Sequence, residues 1–137
     1  MEEQTAEKII SGWISLTYAL KNNRLTKDIP YNESAILYYL YKAFKAGKGL
    51  YLQDILKRNK MHKSLANRTV NSLIKKGMIY TERDGNKLIL YFCAEKESEY
   101  LAQHEKILKL VDGVIDVLGD EDSQAFIRIC DKICKEV

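Results

Sequence analysis

A mainly α fold with one small β-hairpin is predicted by three observations. Apolar residues recur at three- and four-residue spacings over six segments. That period breaks once, between residues 78 and 92, where β-branched and aromatic runs flank Asp84-Gly85-Asn86. Glycine or asparagine stands at most of the segment ends. With 137 residues, 46% apolar and 30% charged, the chain can bury about two-thirds of its unfolded surface in one compact unit.

Residues 4 to 22 place Ile9, Ile10, Trp13, Ile14, Leu16 and Leu20 on one side of a helix, an apolar face wide enough to need a partner. Asn22-Asn23 ends it. Pro30 is the only proline, and behind it Asn32 is the expected N-cap of a second helix carrying Ala35, Ile36, Leu37, Tyr39, Leu40 and Phe44. That helix stops near Ala46, where Gly47 and Gly49 follow. A short third helix runs from about Leu52 to Arg58, and Asn59-Lys60 forms a tight turn, because asparagine tolerates the left-handed conformation. The fourth begins near Lys63 or Ser64 and ends at Gly77. MIYTER and KLILYF then make the hairpin. From Glu95 to Leu118, Leu101, His104, Leu108, Val111, Ile115 and Leu118 repeat as a seam, which Gly119 breaks. Asp120 to Asp122 cap a last helix with the stripe Phe126, Ile129, Cys130, Ile133, Cys134 and Val137.

Charge is distributed unevenly along these elements. Residues 1–54 hold seven basic and six acidic side chains, 55–81 seven and none, and 82–137 eight and thirteen. A middle carrying +7 and an end carrying −5 point to a polyanion bound by the middle and a different task for the end. The competing explanation is an ordinary solvated surface, but 27 positions without an acid, set among these elements, favour the polyanion.

On a helix from 63 to 76, Ala66, Val70, Leu73 and, near the edge, Thr69 share one face, and Ser64, Asn67, Arg68, Asn71 and Lys75 share the opposite one. Those outward side chains are the ones that read base edges: arginine forms paired hydrogen bonds with guanine and asparagine with adenine, and serine is short enough for close approach. A short helix, a tight turn, such a helix and a hairpin compose a winged helix-turn-helix, whose second helix enters the major groove. The candidate DNA contacts are Lys57, Lys63, Ser64, Asn67, Arg68, Asn71 and Lys75, with Arg83, Asn86 and Lys87 at the wing tip. His62 faces a phosphate or solvent. The alternative keeps the fold and drops the DNA, since winged helices also serve as protein-protein interaction modules. An apolar outward face would favour that alternative.

The order and spacing of these elements, with YNESAILYYL as second helix, LQDILKRNKMHKSLANRTVNSLIKKGMI as helix-turn-helix and two trailing helices, resemble the MarR family of bacterial transcription regulators. The stretch SLIKKGMI is similar to the family's approach to the wing. Asn59-Lys60 stands where the family has leucine and glycine, and Lys87 stands near its wing arginine. The resemblance implies a single MarR-like domain over 1–137, with a DNA-binding lobe at 32–93 and dimerisation helices at 1–22 and 95–137. It further implies a homodimer on a pseudo-palindromic operator, a repressor, and a small phenolic effector. Trp13, Tyr38 and Tyr39, with Tyr41 nearby, would line its pocket, or else serve as core and interface aromatics.

Other chemistry finds little purchase. The chain contains no nucleophile, acid-base or glycine-rich phosphate motif, so an enzyme is not predicted, and neither a cofactor nor a metal is expected. Cys130 and Cys134 lie one helical turn apart and could be ligands or a thiol sensor; on an Ile-rich stripe they read as small buried hydrophobes. Three cysteines and an acidic start, MEEQTAEK, without the layout of a signal peptide predict a cytoplasmic protein with reduced thiols.

Overall fold

The computed structural model describes residues 2–22, 31–59 and 61–136. Its elements run α1 (Glu2–Asn22), α2 (Tyr31–Lys45), β1 (Leu50–Tyr51), α3 (Leu52–Asn59), α4 (Lys63–Lys75), β2 (Ile79–Asp84), β3 (Lys87–Phe92), a 3-10 turn at Ala94–Lys96 and α5 (Glu97–Glu136). Asn23 and Lys60, to which the sequence assigns part of a helix end and half of a tight turn, and Pro30, which precedes the expected cap of the second helix, lie outside the described residues. Asn32 falls inside the first turn of α2 instead of capping it, and Asn59 is the last residue of α3. The predicted break at Gly119 is present: its φ of 79° and ψ of 172° interrupt the helical backbone of α5.

Two compact units divide the chain, Met1–Leu101 and Ala102–Val137. In the first, Ile36, Leu37 and Leu40 of α2, Ile55 of α3, Val70 and Leu73 of α4, and Ile79, Leu90 and Phe92 of the sheet form one core. Tyr41 adds an aromatic rim, its ring 4.7 Å from that of Tyr100 and 5.3 Å from that of Phe92. Its hydroxyl donates to Glu97 at 3.0 Å. Burial at this rim disfavours phenolate, first in Tyr100, whose pKa is pushed up to about 12.

Two helix ends close alike. At α2, Gly47 takes φ 77° and Lys48 N–H bonds the Ala43 carbonyl; at α4, Gly77 takes φ 71° and Met78 N–H bonds the Leu73 carbonyl. Only a residue free to adopt the left-handed region turns the chain so sharply, and glycine does so without a side-chain penalty. The second of these turns delivers Met78 and Ile79 directly into the core.

The sheet is antiparallel with order β1-β3-β2. Its first strand is absent from the sequence reading, which finds only the hairpin. A two-residue strand shows no alternation to read, and its pairing partners Ile89 and Leu90 lie almost forty residues away. Gly49 just before it is required by close approach: a Cβ there would meet the Leu90 carbonyl at 2.6 Å and the Tyr91 ring at 2.7 Å.

α1 leaves Ile9, Ile10, Trp13, Ile14, Leu16 and Tyr18 about half or more exposed. In the second unit, Val114, Phe126, Ile127, Ile129 and Ile133 are exposed as well. Cys130 and Cys134 share that exposure, so the expectation that they are buried is not met within the single chain, where their stripe faces solvent. Among the described residues no helix is long and apolar enough to cross a membrane.

Candidate nucleic-acid interface

The candidate interface is built on α4. Ala66, Thr69, Val70 and Leu73 are buried against the core, and this inner face sets the rotation of the helix. Thr69, a polar residue at a core position, is satisfied by donating to the Leu65 carbonyl one turn back at 2.8 Å. The opposite side is thereby turned to solvent. Ser64, Asn67, Arg68, Asn71 and Lys75 are all exposed, as are Lys57 on α3 and Lys63 at the start of α4.

Electrostatics at the head of α4 favour an anion. His62 precedes the helix in extended conformation (φ −66°, ψ 143°) without a side-chain cap, and the first turn holds no acid. Backbone N–H groups left without intrahelical partners and the positive end of the helix dipole therefore face outward beside Lys63.

One of the seven central cations is spent inside the protein. Lys76 Nζ lies 2.7 Å from Glu33 Oε1, and Ser72 donates to the same oxygen at 3.3 Å. Glu33 is only 5% exposed, so its charge needs this compensation. No charge count along the sequence isolates Lys76, because its partner sits more than forty residues away on α2. Arg58 in turn packs over the Tyr39 ring, 4.8 Å from its centroid. Among the described residues that leaves Lys57, Lys63, Arg68 and Lys75.

The wing is β2, β3 and a two-residue turn, Gly85-Asn86, with Asp84 paired directly with Lys87. Gly85 has φ 64°, the left-handed conformation that short hairpin turns require. Arg83, Asn86 and Lys87 are exposed at its tip, as the sequence reading expects. Tyr51, which that reading does not single out, reaches from β1 to donate to Asp84 Oδ2 at 2.8 Å.

The expected aromatic pocket is less clearly drawn. Tyr38 and Tyr39 meet edge to face with centroids 5.7 Å apart, and Lys42 Nζ lies 4.5 Å above the Tyr38 ring. Tyr41 belongs to the core rim, and Trp13 is 67% exposed on α1. An open cavity of about 450 Å3 elsewhere, walled by Phe44, Lys48, Tyr80, Tyr91 and Phe92, includes none of Trp13, Tyr38 and Tyr39. Among the described residues no three His, Cys, Asp or Glu side chains are grouped to hold a metal ion.

Comparison with known proteins agrees with this architecture. The MarR family model matches residues 27–87. Among solved structures, a Staphylococcus aureus MarR in complex with salicylate and kanamycin is 20% identical, with 96% of this chain and 91% of that one covered and a TM-score of 0.77. A MarR-family transcriptional regulator from Rhodococcus sp. RHA1 is 11% identical, with 96% of each chain covered and a TM-score of 0.78. The S. aureus MepR-DNA complex is 17% identical, with 96% and 95% covered and a TM-score of 0.68. No curated protein sequence matches the chain. The family pattern spans the second helix, the helix-turn-helix and most of the wing, and the fold agrees beyond both of its ends. Over residues 27–87 the chain is similar to the MarR family, and its fold is that of MarR-family structures.

Proposed function

We propose that this protein is a sequence-specific double-stranded DNA-binding regulator acting as a homodimer in the cytoplasm. The observation that carries the reading is the division of α4. Its apolar side is buried, and Ser64, Asn67, Arg68, Asn71 and Lys75 are presented to solvent together, with no acidic side chain on the helix. A relative of the same fold was solved with DNA, which supports the assignment.

In this reading 32–93 is the DNA-binding lobe. Arg68, Asn67 and Asn71 read base edges, Ser64 approaches closely, and Lys57, Lys63 and Lys75 neutralise phosphates. Arg83, Asn86 and Lys87 carry the wing to a neighbouring groove. The segments 1–22 and 95–137 form the dimer, because the exposed apolar faces of α1 and α5 exceed what a stable monomer leaves in water. Two copies of α4 about a two-fold axis bind a pseudo-palindrome with half-sites about one helical turn apart. Bound there, the dimer represses by occluding the promoter.

A small aromatic acid is the proposed releasing effector, held near Trp13, Tyr38 and Tyr39. A relative solved with salicylate supports the ligand class, and the Lys42 ammonium over Tyr38 supplies a cation for a carboxylate. Trp13 is the only tryptophan, so salicylate binding there is expected to change intrinsic fluorescence; an unchanged spectrum at saturating salicylate contradicts this site. The DNA assignment is tested by selecting bound fragments from a random duplex pool with purified protein. Enrichment of a two-fold symmetric sequence is expected, and failure to enrich any sequence contradicts it.

A further inference from the structure

Between residues 82 and 87 the wing holds two acids and two bases, Glu82 and Asp84 against Arg83 and Lys87, so its formal charge is zero. A neutral hairpin is a poor phosphate ligand unless its cations are kept apart from its carboxylates. Asp84 and Lys87 are directly opposite in the ladder, the position at which unlike charges pair most readily. Among the described residues no ion pair joins them. The Asp84 carboxylate instead accepts a hydrogen bond from the Tyr51 hydroxyl at 2.8 Å, and Lys87 Nζ lies 5.3 Å from the centroid of the Tyr51 ring.

Register explains how one residue reaches both. Tyr51 pairs with Ile89, and Ile89 shares a sheet face with Lys87 two residues before it, so Tyr51, Lys87 and the Asp84 opposite Lys87 all project from the outer face. The other face carries buried Leu90, Phe92 and Ile79. Resting on the proposed DNA-binding function, we propose that Tyr51 is a positioning residue of the wing. Its hydroxyl retains the Asp84 carboxylate and its ring face steadies the Lys87 ammonium, leaving that ammonium uncompensated for a DNA phosphate. The anchor lies on β1, which pairs with β3 and runs directly into α3, so it also ties the wing to the helix-turn-helix. The Tyr51 hydroxyl is itself harder to ionise than an ordinary phenol, first because of the hydrogen bond to Asp84, so the clamp persists across neutral and mildly alkaline pH.

The test is a mutant cycle read by fluorescence anisotropy on a random-sequence duplex over a range of salt. Tyr51→Phe keeps the ring and removes only the donor, which frees Asp84 to capture Lys87. Affinity is expected to fall roughly three- to tenfold, and the log-log salt slope of the dimer to become shallower by about 2, one phosphate contact per wing. In an Asp84→Asn background the same change should have no effect, since no carboxylate remains to capture the lysine; in a Lys87→Ala background it should likewise add nothing. A Tyr51→Phe loss of equal size in all three backgrounds would make Tyr51 merely structural and overturn the proposal, as would unchanged affinity and slope in the wild-type background. Wild-type protein that binds no duplex at low salt overturns the DNA-binding reading and this proposal together, which separates the two failures.

Discussion

At the scale of single residues, what matters is which cations are free and which are engaged. Lys76 looks like its neighbours in the sequence, yet it compensates buried Glu33, so its loss acts on stability. Lys76→Met should destabilise the fold by about 1–3 kcal/mol, because a carboxylate kept from water loses its charged partner. Pairing it with Glu33→Gln should recover much of that loss in a urea titration; an unshifted midpoint in the single variant contradicts the role. Arg68 and Lys57 make the opposite pair, both exposed and both available. Arg68→Ala should relax sequence preference by about 1–3 kcal/mol between best and mutated sites, and Lys57→Ala should weaken all duplexes alike. Competition binding against single-base variants of a selected site distinguishes them. Tyr100 provides a pH prediction. Its folded pKa near 12 lies above the ordinary tyrosine value of 10.0, so the neutral ring favours the fold below about pH 10 and that contribution disappears as pH rises toward 12. Thermal melts should therefore fall steeply across that window, and less steeply in Tyr100→Phe.

At the scale of elements, α4 couples packing to the proposed recognition of DNA through its rotation. Leu73 is fully buried on the inner face, and Leu73→Ala should cost about 2–5 kcal/mol and loosen DNA binding with it, since the outward residues are aimed by that packing. The end of α4 tests backbone chemistry alone. A Cβ on Gly77 would meet nothing closer than the Lys96 side chain at 3.7 Å, so Gly77→Ala costs only the left-handed conformation, about 1 kcal/mol. Helices and hairpin were legible in the sequence because each carries its own period or turn signal, and the outward face of α4 was legible because a helix puts every third or fourth residue on one side. What escaped depends on distant partners. The strand at Leu50–Tyr51 exists only by pairing with β3, the Tyr51–Asp84 bond joins residues 33 apart, and the Glu33–Lys76 pair joins residues 43 apart. Asn32 failed as a cap for a related reason: capping residues also occur within first turns, and only the backbone decides which position begins the helix.

At the scale of the whole molecule, the division of charge corresponds to the proposed division of labour. The basic segment supplies α3 and α4, and the acidic last third supplies α5, whose apolar stripes include Phe126, Ile129 and Ile133. Exposed Ile, Leu, Trp and Tyr side chains on α1 and an apolar stripe on α5 are costly in water, and a second copy of the chain is the proposed cover. The proposed aromatic site is the least legible feature at this scale, since Trp13, Tyr38 and Tyr39 are implied by residue type and family resemblance, and no helical period links Trp13 to the two tyrosines.

The central claim, a cationic and amide-bearing helix presented twice to duplex DNA, is tested most directly by binding of wild-type protein to duplex across a salt series. If three or four phosphates are neutralised per chain, a dimer should give a log-log slope of about −5 to −7. A slope near zero, or no binding at low salt, would contradict the account.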